Sequence, residues 1–69
     1  MSELIFEVSD SGDGGYTAEC LTEAIVCQAD DWQQLREEVQ DAVRGHFFDR
    51  TLPTRVRLHW VRDEVLHVA

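Results

Sequence analysis

Three groups of side chains in this 69-residue chain could do chemistry: the carboxylates of its early strands, its histidines and its cysteines. Metal-assisted hydrolysis needs several carboxylates converging on divalent ions. The strand acids on offer are Glu3, Glu7 and Glu19, and alternate outward acids of an antiparallel sheet ordinarily meet water. Asp10 and Asp13, set among glycines, superficially suggest a calcium loop. An EF-hand needs oxygen ligands at its first, third and fifth positions. Counted from Asp10, the third and fifth are Gly12 and Gly14, so a plain hairpin turn is the better reading. His46 falls near the end of a predicted helix, where the macrodipole favours a protonated ring and capping outweighs catalysis. His59 and His67 would face each other across a final hairpin, as a pH-sensitive pair or a weak metal site lacking a third ligand. Cys20 and Cys27 have no second Cys or His pair at zinc-finger spacing, and small buried thiols are the expected state. No nucleotide-binding glycine fingerprint and no nucleophile elbow occur. The expectation is a protein that is not an enzyme and holds no metal or cofactor.

Charge narrows the partners. Fourteen acids stand against six bases, all of them arginine, for a net charge of −8. Phosphate backbones are held by lysine and arginine that displace counterions, so direct nucleic-acid binding is not expected. A basic protein is the natural counterpart of such a chain. Apolar runs such as Ala24-Ile25-Val26 are far short of a membrane span. Met1-Ser2-Glu3-Leu4 lacks the basic and apolar regions of a secretory signal. These features predict a single cytoplasmic domain over residues 1–69, with no membrane association.

The elements that must position these residues follow from period. Leu4, Phe6 and Val8 alternate within a β-forming run, and Tyr16, Ala18 and Cys20 alternate after the turn cluster Ser9–Gly15. Together they predict a hairpin. Ala24–Gln28 is apolar on both faces and suits an interior strand. The period then changes: Asp30 or Asp31 can cap a helix, with Gln33 or Gln34 completing a capping box. Trp32, Leu35, Val39, Ala42, Val43 and His46 follow helical spacing, opposite Arg36, Glu37, Glu38, Gln40, Asp41 and Arg44. This helix should end near Phe48, before Pro53. Val56, Leu58 and Trp60 then alternate with Arg55, Arg57 and His59. Arg62-Asp63 reads as a tight turn, with Val65–Val68 returning as a last strand.

These segments carry a family resemblance. The turn Asp13-Gly14-Gly15-Tyr16, the following Ala18-Glu19-Cys20, a third strand and the capped entry Ala29-Asp30-Asp31-Trp32-Gln33-Gln34 resemble the HicB antitoxin family over roughly residues 3–60. Leu21 stands where the family often has proline, and the helix entry lacks the family's usual glycine and threonine. The resemblance implies a truncated RNase H-like domain without nuclease activity. It also implies binding to a small basic toxin of the HicA type, whose catalytic histidine the antitoxin covers. Many HicB proteins add a DNA-binding segment, for which 69 residues are not expected to leave room.

The predicted class is therefore α+β: a small antiparallel sheet with one helix packed on it, in the order β-β-β-α-β with a further β. The acids Asp10, Asp13, Glu37, Glu38 and Asp41 are the candidate contacts for a basic HicA-type partner. Arg55, Arg57 and His59 share one sheet face, where pairing with acids such as Glu7 or Glu19 is the simple account. Phe47, Phe48, Trp60 and Val61 exceed what one helix on a sheet covers, and are the candidate interface of a homo-oligomer. Self-association without a toxin is the alternative function.

Overall fold

A computed structural model describes residues 3–10, 12 and 14–69 of the chain. Strand β1 (Glu3–Asp10) buries Leu4, Phe6 and Val8 and turns Ile5 and Glu7 outward. Strand β2 (Tyr16–Cys20) returns antiparallel, setting Asp10 against Tyr16 and Phe6 against Cys20. Between them Gly12 and Gly14 take φ of 89° and 96°, a region that side chains with a Cβ avoid. Strand β3 (Val26–Ala29) pairs antiparallel with β2. Helix α1 (Trp32–His46) follows, and β4 (Arg55–Val61) closes the sheet beside β1. The α+β class and the order β-β-β-α-β are as expected.

Three details differ from the sequence reading. The sheet is mixed, because β4 runs parallel to β1. Helix α1 takes the chain back along the sheet after β3, so β4 starts from the same end as β3 and β1. The strand order is β3-β2-β1-β4, which makes β3 an edge and leaves Val26 62% exposed. Its apolar character reflects one face under α1 rather than an interior position. Residues 62–69 form no further strand, so the hairpin that would bring His59 against His67 is absent within the chain.

The helix begins where the capping residues place it. Asp31 is the N-cap, its Oδ1 accepting from the Gln34 N–H at 2.7 Å. Gln34 Oε1 in turn accepts from the Asp30 N–H at 3.2 Å, one residue before the cap. The inward stripe Leu35, Val39 and Val43 is buried, joining Phe6, Val8, Ala18, Cys20, Ile25 and Cys27 in one core. Full burial of the Leu, Val, Ile and Phe side chains among them contributes roughly 1.5–3 kcal/mol each. The helix stops at His46, with Phe47 as its C-cap. It lies mainly over β3 and β2. On the β4 side Val56 and Leu58 are therefore only half-buried, and Trp60 keeps 43% of its surface exposed.

Candidate partner-binding surface

Because positions 35, 39 and 43 are consumed by the core, the roughly 100° step per residue turns 37, 38 and 41 outward. Glu37, Glu38 and Asp41 are accordingly exposed along the free side of α1. Glu37 accepts a hydrogen bond from Gln33 Nε2 at 3.2 Å, and Asp41 pairs with Arg44 at 3.3 Å. Both contacts are exposed, and such pairs stabilise a helix by only a few tenths of a kcal/mol. The acids thus remain available to an outside charge. Below them, the Cys27 thiol donates to the Glu38 carbonyl at 3.8 Å. Burial first, and the Glu38 charge second, push that thiol's pKa up. Cys20 and Cys27 are both free and buried.

Asp10 lies apart from these three, at the hairpin end of β1, where the Arg62 guanidinium approaches it at 3.9 Å. Asp13 lies outside the described residues. The sequence reading also missed a feature of this end. Tyr16, Trp32 and Trp60 gather there, with ring centroids 5.3 Å (Tyr16–Trp32), 5.8 Å (Tyr16–Trp60) and 5.0 Å (Trp32–Trp60) apart. Their positions were the available signal: Tyr16 opens β2, Trp32 opens α1 and Trp60 nearly ends β4. Parallel pairing of β1 with β4 was needed to see that these three ends coincide. Beside the aromatic group opens a cleft of about 400 Å³, lined by Thr17, Gln28, Asp30 and Gln34 among others.

The four candidate interface residues do not form one patch. Phe47 packs against the core and under the Arg50 guanidinium, 4.5 Å from the ring centroid. Phe48 is 84% exposed beside it. Trp60 and Val61 lie at the other end of α1, near Trp32. His46, read as a cap, instead reaches Glu23 Oε1 at 2.8 Å and ties the helix end to the β2–β3 connection.

The sheet face turned away from α1 carries the basic group. Arg57 and Arg55 meet Glu3 at 3.3 and 3.6 Å, rather than Glu7 or Glu19, because the parallel register sets Glu3 opposite Arg55. Glu7 is left directly opposite Glu19, with His59 beside it on β4. Among the described residues no group of three or more His, Cys, Asp or Glu is gathered for a metal ion, and no helix is long and apolar enough to cross a membrane.

Over 66 residues the chain is 36% identical to a protein of Thermotoga maritima described as a UPF0150 protein, spanning 96% of this chain and 93% of that one. No family model and no solved structure matches the chain.

Proposed function

The chain belongs to the UPF0150 family, and from that premise we propose that it is a non-enzymatic interaction domain, acting like a HicB antitoxin on a small basic ribonuclease of the HicA type. The observation that carries this reading is the acidic side of α1. Glu37, Glu38 and Asp41 are held outward by a helix whose opposite side is locked into the core, so the charge is presented at a fixed place. Electrostatic complementarity of this kind speeds encounter and selects partners, while burial of apolar surface supplies most of the affinity. The Asp13-Gly14-Gly15-Tyr16 turn and the β-β-β-α-β order support the same reading.

The test is co-expression with the product of any small basic reading frame next to the gene. Co-purification and relief of growth arrest are the expected results. Reversing the helix acids together (Glu37→Lys, Glu38→Lys, Asp41→Lys) should then cut the association rate at low salt by about tenfold or more, with the fold retained because all three are exposed. A basic neighbour that is neither bound nor neutralised would end the antitoxin reading.

A further inference from the structure

Residues 58–68 read Leu-His-Trp-Val-Arg-Asp-Glu-Val-Leu-His-Val, a sequence nearly symmetric about Asp63. Reflection through Asp63 sets Arg62 against Glu64, Val61 against Val65, Trp60 against Leu66, His59 against His67 and Leu58 against Val68. Each apolar residue meets an apolar one, and the cation meets an anion. Antiparallel strands pair residues in this manner, and such directly opposed pairs are the unit of sheet stabilisation.

Half of this pattern is already in the sheet. Residues 58–61 belong to β4, an edge strand flanked by β1 on one side only. The other half lies in water: Val65, Leu66 and Val68 are 80%, 74% and 96% exposed. The molecule measures 55 Å along its long axis against 22 and 17 Å across it. The longest strand, β1, spans only about 27 Å, whereas residues 55–69 fully extended span about 50 Å. The segment 62–69 therefore runs on from β4 instead of folding back along it.

Folding back in the symmetric register would need Arg62-Asp63-Glu64 as a three-residue loop. Such loops place one residue in the left-handed region, usually glycine, and this one offers none. A second copy makes the same contacts without the turn. We propose that residues 57–69 of two copies pair antiparallel about a two-fold axis through Asp63, joining two four-stranded sheets into one of eight strands.

The surroundings of β4 fit that occupant. Trp60 lies on the helix side of the sheet, beside Val8 and against Trp32, so the second copy's Leu66 and Val68 come to rest on that side, against Trp60 and Leu58. Helix α1 sits over β3 and β2 and leaves this flank open. A groove of about 160 Å³ between α1 and β4, lined by Val39, Val56 and Leu58 with Arg36 and Gln40, lies next to it. The Arg62 guanidinium already stands 5.6 Å from the Trp60 ring centroid and 3.9 Å from Asp10, and the second copy's Glu64 gives it a further carboxylate. Asp63 against Asp63 is the one like-charged pair, at the axis. This is a self-complementary interface of the isologous kind.

Sedimentation equilibrium of the full chain over a wide concentration range is the test, with a reversible dimer as the expected result. Leu66→Asp should raise the dimer dissociation constant by at least about tenfold, since each dimer buries two such leucines. The circular dichroism of dilute samples should not change, because Leu66 is exposed in the single copy. Arg62→Glu and Glu64→Arg should each weaken the dimer, and the double variant should recover part of the loss, the remainder reflecting Glu at position 62 facing Asp10 in the single copy. A monomer at every concentration overturns the proposal. So does a dimer indifferent to Leu66→Asp, or a double variant no better than either single one. None of these results bears on capture of a basic partner by the far side of α1.

Discussion

Cys27 shows how far one buried side chain can report on its surroundings. Burial, then the Glu38 charge, raises its pKa above the ordinary 9.0. In the unfolded chain the thiol ionises at its ordinary value, while in the folded chain it still holds its proton. Above pH 9.0 the folded state therefore binds more protons, and stability falls as pH rises from there toward the folded pKa. The urea midpoint should be lower at about pH 10 than at about pH 8, and Glu38→Gln should narrow the difference by removing the second cause. At the start of the helix, Asp31→Ala removes an N-cap bond of 2.7 Å. A loss of about 1 kcal/mol in urea unfolding is expected. The Asp31 cap was legible in the sequence because capping is local. The bond from His46 to Glu23 was not, since its partner stands 23 residues away in an irregular connection. For the same reason Arg55 and Arg57 could be assigned to acids as a class, but not to Glu3.

Among the elements, α1 was the most legible, because its apolar period matches a single buried stripe. Leu35 is completely buried, and Leu35→Ala should cost about 2–5 kcal/mol in chemical denaturation. The β1–β2 hairpin was nearly as clear, since alternation and a glycine-bearing turn agree. Its register has a cost that alternation alone could not reveal: Glu7 and Glu19 are directly opposed on the open face. Like charges so placed destabilise a sheet. Glu19→Lys should therefore raise stability by about 0.2–1 kcal/mol, with a smaller gain at high salt. If unfolding midpoints show no gain, the two carboxylates are already well separated in solvent. Strand β4 was recognised as a strand, but its direction was not. Pattern within a strand says which face is buried and is silent on whether its neighbour runs parallel or antiparallel.

At the level of the whole molecule, the acidic side of the candidate surface was readable, because outward positions follow from the helix stripe. The aromatic group of Tyr16, Trp32 and Trp60 was not, because it depends on three elements meeting at one end. That group also makes a probe. With Trp32 and Trp60 5.0 Å apart, tryptophan fluorescence reports the seating of β4 beside the start of α1, while far-ultraviolet circular dichroism reports the helix. The two unfolding curves should coincide if the domain unfolds as one cooperative unit; an earlier fluorescence transition would show β4 peeling away first. The parallel pairing of β1 with β4 has a further consequence during synthesis. Glu3 and Arg55 are neighbours in the sheet yet 52 positions apart in the chain. At about 5–20 residues per second, β1 waits roughly 3–10 s for the strand that covers its second edge. Over that interval Leu4-Ile5-Phe6-Glu7-Val8 leaves the ribosome with one side unsatisfied, in a form other strands can template on. Until β4 arrives, β1, an inner strand of the finished sheet, is itself an edge.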